Sequence, residues 1–310
     1  MSETAPHVPV LLNEVLQCFE AMPPEGTFVD CTLGYGGHSE AMLRKFPRIR
    51  LIGIDQDPEA LDFSRKRLAP FGERVEFRKG RFSQVLPQIL QERGDVCGVL
   101  ADFGVSSLQL DKMERGFSFH SETLDMRMDP SAPFSAYDVV NEYPQQELER
   151  IFRDYAEERR WRQAARAVAE ARARGPIESG KELAELLARV LPKKGKTHPA
   201  TALFQAIRIE VNDELGEIER LLEALEANPP KGAVVGLITF HSLEDRLVKR
   251  RFAQWARSCI CPPESFRCTC GNDHALGRPL GRKPRTASPE EVKANPRSRS
   301  AKLRCFQFKE

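Results

Sequence analysis

The sequence predicts an α/β fold: a parallel sheet with helices on both faces and an all-helical block inserted into it. Three observations predict this. Short apolar, β-branched runs alternate with helix-like stretches through residues 27–101, the pattern of strand–helix–strand units. No strand pattern appears over residues 111–199. Strand-like runs then return at 233–239 and 303–308.

Residues 27–33 read as a short buried strand, broken by Gly34, Gly36 and Gly37, with a helix over 38–46. Residues 51–55 form the second strand. Pro58 suits a first helical turn, and Ala60, Leu61 and Leu68 give the next helix an apolar face. Residues 75–78 and 96–101 supply a third and a fourth strand. Within the block, a helix is expected over 148–174, stopped by Gly175 and Pro176, and another over 179–190, opened by a capping box of Ser179 and Glu182. A basic loop follows at 192–196. Phe204, Ile207, Val211, Leu215, Ile218, Leu222 and Leu225 step by three or four, which predicts one long helix ended by Asn228, Pro229 and Pro230. The expected boundaries are 1–110 and 200–310 for the sheet domain and 111–199 for the insertion.

Composition agrees with such a chain. Its 310 residues, 41% of them hydrophobic, suit one large domain or two with one inserted in the other, and exclude full disorder. The longest apolar stretches, such as 233–238, fall well short of the roughly 20 residues a bilayer span needs. No basic region followed by an apolar one opens the chain, so no secretory signal is read. A cytoplasmic protein is expected, in which eight cysteines do not imply disulfides. Cys18, Cys31, Cys97 and Cys305 lie in apolar runs and read as core. The net charge of +2 is uneven. Residues 241–310 hold 16 Lys and Arg against 7 Asp and Glu, while the other 240 hold 31 against 38. A basic end on an otherwise acidic chain suggests a phosphate-rich partner, with a solvated basic tail as the alternative.

The ends of the strands carry the chemistry. After the first strand, Asp30 leads into a turn containing Gly34, Gly36, Gly37 and His38, where small residues let a ligand approach the backbone. The second strand ends in Asp55, an acid placed to hydrogen-bond ribose hydroxyls. Two ligands fit. A dinucleotide calls for a third glycine, but that place holds Ser39. S-adenosylmethionine, with an amino group and a sulfonium, calls for an acid early in the turn, and Asp30 is one. Asp102, expected at an exposed end of the fourth strand, is a further candidate, and a solvated loop Asp is its plain alternative.

Several stretches together resemble one family. They are His7–Leu12, the turn at 36–38, Asp102–Asp111, Arg115–Phe119, Leu124–Pro130, His198–Thr201, Phe204–Ile209, Phe240–Arg246 and Asn295–Ser300. In this order, over nearly the full length, the sequence resembles the bacterial RsmH (MraW) methyltransferases, which methylate cytosine N4 in small-subunit ribosomal RNA. The resemblance implies a Rossmann-like methyltransferase sheet with an inserted all-helical domain for substrate recognition. It implies S-adenosylmethionine held by Gly36, Gly37, His38, Asp55, Phe82, Asp102 and Gln109, with Phe82 as an adenine neighbour at the end of the third strand. It also implies a decoding-region cytosine in the 16S ribosomal RNA as target, a partly or fully assembled small ribosomal subunit as substrate and no membrane partner. A homodimer stays open.

Methyl transfer from a sulfonium needs alignment and exclusion of water. The cytosine amine is a weak nucleophile because its lone pair delocalises into the ring. An acceptor on its N–H frees that pair, and Asp102 or nearby carbonyls are placed for this. His241, after the later strand, either lines the target pocket as a second catalytic candidate or is a buried structural histidine. The chain lacks the Pro-Pro-aromatic pattern of DNA amino-methyltransferases after the fourth strand, and it lacks the Pro-Cys pair of cytosine C5 methylation.

Cys259, Cys261, Cys268 and Cys270 form a compact set that fits tetrathiolate zinc, against reduced, metal-free thiols. Basic stretches at 277–285 and 297–304 suit RNA phosphates. Phe117, Phe119 and Trp161 are candidates for base stacking, or core. Two other classes compete with the RNA methyltransferase. One is a nicotinamide oxidoreductase, weakened by Ser39 and Asp30. The other is a non-catalytic RNA-binding ribosome-assembly factor retaining the fold.

Overall fold

The computed structural model describes residues 9–105, 109–110, 112–193, 198–262 and 264–310. His7, Val8, Ser106, Ser107, Leu108 and Asp111 of the motifs above, and Lys194 to Lys196 of the basic loop, lie outside the described residues. The chain forms two units. One takes residues up to Gly104 and again from Gly216 to Glu310, and the other runs Val105–Leu215.

The first unit is built on a single sheet. Strands β1 (Gly26–Asp30), β2 (Ile49–Asp55), β3 (Val75–Lys79), β4 (Val96–Asp102) and β5 (Val234–Thr239) are parallel, in the order β3-β2-β1-β4-β5. Beyond β5 the sheet turns antiparallel. Strand β8 (Lys302–Phe308) pairs with β5, and the short β6 (Gly277–Pro279) and β7 (Arg285–Thr286) pair with β8.

The strands are continuous apolar runs because both faces of the sheet are covered. All six residues of β5 are buried. Successive residues point to opposite faces, and the core divides accordingly. Val29, Ile52, Val99 and Val235 pack with Leu86 and Ile89 of helix α4 (Phe82–Glu92) and with Ile218 and Leu222 of the helix Glu214–Ala227. Phe28, Leu51, Leu100 and Val234 pack on the other side with Val15 of α1 (Leu12–Cys18), Met42 of α2 (Gly37–Lys45) and Leu61 of α3 (Pro58–Leu68). Cys18 and Cys305, expected as reduced core thiols, are buried but joined by a disulfide. Side chains of α1 and β8 meet in that core, which brings the two cysteines together across 287 residues.

The second unit has helices at Ala136–Glu142, Gln145–Asp154, Trp161–Arg172, Gly180–Val190 and Thr201–Asn212, and no strand among its described residues. Its own core includes Val140, Leu148, Ile151, Phe152, Val168, Leu183, Leu187, Leu203 and Ile207. Three expectations need correction. The helix expected over 148–174 is two helices, because Glu157 takes a positive φ of 48° that a right-handed helix cannot continue. The long helix expected over 204–225 likewise breaks at Asp213, with φ 51°. Just before that break, the Asn212 side chain accepts from the Met128 amide at 2.8 Å and donates to the Met126 carbonyl at 2.8 Å. The helical unit is consequently larger than 111–199. Leu203, Phe204, Ala206 and Ile207 of the helix Thr201–Asn212 belong to its core, so the boundary moves out to residue 215. Phe117, offered for stacking, is core as well.

Candidate functional site

The strand order reverses direction beside β1, with β2 and β3 to one side and β4 and β5 to the other. In open parallel sheets, ligands bind beyond the carboxyl ends of the strands at such a switch. Three acids end the strands there: Asp30 on β1, Asp55 on β2 and Asp102 on β4.

Asp30 is 2% exposed. Its Oδ2 accepts from Ser39 Oγ at 2.6 Å and its Oδ1 from the Thr32 amide at 3.2 Å. Burial pushes its pKa up against these bonds. The carboxylate therefore shapes the turn from within, and Ser39, the residue that breaks the dinucleotide pattern, is its partner.

Asp55 is half-buried. Its Oδ2 accepts from the Gly34 amide at 2.8 Å and its Oδ1 from the Asp57 amide at 2.9 Å. Burial raises its pKa to about 6, opposed by those two bonds. Gly34 and Gly36 both adopt positive φ, 50° and 72°, which a side chain would strain. At Gly37 the close approach comes from the chain itself, since a Cβ there would stand 2.5 Å from Pro9 Cγ. His38, buried, sets its Nε2 2.9 Å from the Val10 carbonyl, and burial lowers its pKa.

Asp102 is half-buried rather than at an exposed strand end. Its amide donates to Thr32 Oγ1 at 2.6 Å, and its Oδ1 accepts from the Gly104 amide at 3.1 Å. Burial raises its pKa to about 7. The Gly104 bond opposes that rise, and the charge of Glu244 adds to it. Gly104 must be small, because a Cβ would meet the Phe240 ring at 2.6 Å.

Glu244 is a further acid close enough to act on Asp102, and the sequence did not single it out. It is fully buried at the start of the helix Ser242–Trp255, and its Oε2 accepts from the Phe240 amide at 2.7 Å and the His241 amide at 3.3 Å. His241 Nε2 stands 2.9 Å from Glu244 Oε1, without the alignment of a hydrogen bond. An acid three residues into a helix reads in sequence as a capping residue, and nothing in that reading places its charge beside Asp102.

Phe82 does not end β3. It opens α4 after Gly80 and Arg81, half-buried, with its ring centroid 6.0 Å from that of Phe103. Gln109 belongs to the helical unit and is buried. In that unit Phe119 stacks on His198, at 4.7 Å between ring centroids, and Trp161 carries the guanidinium of Arg162 at 3.9 Å from its ring centroid. The basic stretches are only partly free. Arg304 and Lys302 both bind Asp245, at 2.8 and 3.5 Å, and Arg285 donates to the Glu14 carbonyl at 3.1 Å. Arg282 and Lys283 are exposed. The structure also gathers Cys259, Cys261, Cys268 and Cys270, whose sulfurs all lie within 4.8 Å of one another. Among the described residues, no helix is long and apolar enough to cross a membrane.

The first unit is thus a parallel, Rossmann-like sheet with acids at its switch point, and the second, after β4, is helical over its described residues. The sequence model of the MraW methylase family matches residues 4–309. The chain belongs to that family. It is 62% identical over 304 residues to the ribosomal RNA small subunit methyltransferase H of Sulfurovum sp., covering 98% of each chain. It is 60% identical over 306 residues to the protein of the same name from Nitratiruptor sp., covering 99% of each. The Wolinella succinogenes protein of that name is 58% identical over 305 residues, covering 98% of this chain and 99% of that one.

Proposed function

We propose that this chain transfers a methyl group from S-adenosylmethionine to the N4 amine of a cytosine in the decoding region of small-subunit ribosomal RNA. Its substrate is then a partly or fully assembled subunit in the cytoplasm. The observation that carries this reading is the full-length match to relatives named ribosomal RNA small subunit methyltransferase H.

The cofactor's contribution is a methyl group activated on a sulfonium. The residues of the sheet edge suit it. Asp55 and Asp102 end strands on either side of β1, two strand spacings or about 10 Å apart, a separation on the scale of the cofactor. We assign Asp55 to the ribose hydroxyls, Phe82 to the adenine, and the turn at Gly36, Gly37 and His38 to the methionine end. Within that turn His38 holds position through Val10.

Asp102 is assigned to the reacting amine. With a pKa near 7 in the free protein, it is poised between forms, and a neighbouring cation favours the carboxylate. The carboxylate accepts the amine N–H, draws the nitrogen out of conjugation, and takes up the proton after transfer, so no stronger base is needed. Glu244 and His241 act as positioning residues behind it. The exposed Arg282 and Lys283 are assigned to RNA phosphates.

The test is tritium transfer from labelled S-adenosylmethionine to small subunits from cells lacking this protein, followed by nucleoside mass spectrometry. Label in N4-methylcytidine is expected. Label in another nucleoside overturns the cytosine N4 assignment. Tight subunit binding without transfer would favour an assembly factor.

A further inference from the structure

We propose that Cys259, Cys261, Cys268 and Cys270 bind one zinc ion as a structural tetrathiolate site. It stands apart from the methyl-transfer reading and does not depend on it.

The spacing of the sulfurs is the first argument. Cys259 and Cys268 Sγ are 3.6 Å apart, Cys268 and Cys270 3.5 Å, and Cys259 and Cys270 3.7 Å. Zinc–sulfur bonds of about 2.3 Å in a tetrahedron put sulfurs about 3.8 Å apart, so this triangle is close to one face of that polyhedron. The fourth sulfur, of Cys261, lies within 4.8 Å of the other three. Disulfide pairing would bring two sulfurs to about 2.05 Å. The same chain shows such pairing at Cys18 and Cys305, whereas these four are unpaired.

The backbone is the second argument. The amide of Ile260, between the first two cysteines, donates to Cys270 Sγ at 3.4 Å. The amide of Thr269, between the second two, donates to Cys261 Sγ at 3.3 Å. The two Cys-x-Cys stretches thus face each other reciprocally, each giving an amide to the last sulfur of the other. Amide N–H groups aimed at sulfur stabilise thiolates and orient them, as outer-shell partners of metal ligands do.

The third argument is what else could order the segment. Ala256 and Leu276, at its two ends, pack on the core of the sheet. Its stem closes through Leu276 N to Trp255 O at 2.8 Å and His274 N to Ser258 O at 3.0 Å. Between those ends no described residue joins any of the three cores. Its larger apolar side chains face solvent, Ile260 at 61% and Phe266 fully. A loop of this length without packing needs a staple, and metal–thiolate bonds provide folding energy directly.

The experiment is elemental analysis of the full chain, purified without a metal-binding tag under reducing conditions. About one zinc per chain is expected. Cys268→Ser with Cys270→Ser should lose it, whereas Cys31→Ser and Cys97→Ser, at buried free thiols outside the cluster, should keep it. Exchange with cobalt should give the intense visible bands and thiolate charge-transfer absorption of a tetrahedral sulfur site. Should the double variant misfold, release of wild-type zinc by a mercurial, in step with about four thiols, reads the same ligand set. Metal content near zero, iron in place of zinc, or zinc retained after loss of Cys268 and Cys270 in a folded chain overturns the proposal.

Discussion

The amide of Gly34 donates a 2.8 Å hydrogen bond to Asp55 Oδ2, tying the turn after β1 to the end of β2. The acid proposed for the ribose thus also holds the glycine turn in its positive-φ shape, and the two halves of the candidate cofactor site share one carboxylate.

Asp55→Ala should therefore weaken S-adenosylmethionine binding roughly ten- to a hundredfold, or about 1.5–3 kcal/mol for a lost charge-assisted bond. Calorimetry on the folded variant measures this. Unchanged affinity would remove Asp55 from the site.

Asp102→Asn keeps the shape and an acceptor for the Gly104 amide, so the chain should fold. If the carboxylate accepts from the amine, the single-turnover rate at saturating cofactor should drop roughly tenfold to a thousandfold, at about 1.4 kcal/mol per decade. A loss confined to cofactor affinity would make Asp102 a binding residue only.

The same variant has a stability signature. Asp102 is raised from 3.8 to about 7 by burial, so the folded state resists its ionisation. Stability from this group is present at low pH and is lost as pH rises towards 7. Without cofactor, Asp102→Asn should be more stable than wild type at pH 8, by an amount of order a few kcal/mol, and so melt higher. That advantage should shrink between pH 7 and pH 4. Scanning calorimetry across this range checks it, and a variant that melts lower at pH 8 would contradict the burial of the charge.

Replacing Arg282 and Lys283 by Ala should raise the apparent constant for the RNA substrate and reduce the slope of its logarithm against log salt by about two, one per lost phosphate contact. Cofactor affinity should not move. Arg285→Ala should instead lower stability, since that side chain binds the Glu14 carbonyl.

The sheet was legible because its strands are buried on both faces and carry the signal in their own composition. Asp55 and Asp102 were legible for a related reason, as acids that end apolar runs. What failed depended on distant partners. Nothing near Glu157 or Asp213 marks a helix break. Asn212, beside the second break, binds Met126 and Met128, more than eighty residues earlier. Lys302 and Arg304 look like free charge until Asp245 is brought beside them by the fold. Glu244 was masked by its place in a helix's first turn. The cysteine cluster lies within twelve residues of chain and needed no distant partner to be seen.

Strand β8 occupies residues 302–308 of 310, yet it lies inside the sheet, between β5 and β6, with β7 resting on it as well. In chain order those residues come after every other strand of the sheet. The open edge of β5 must wait for them, and so must both small strands. Loss of β8 would thus behave like a core deletion, not a trimmed tail. The sheet closes from its far end in sequence, on a strand that three others share.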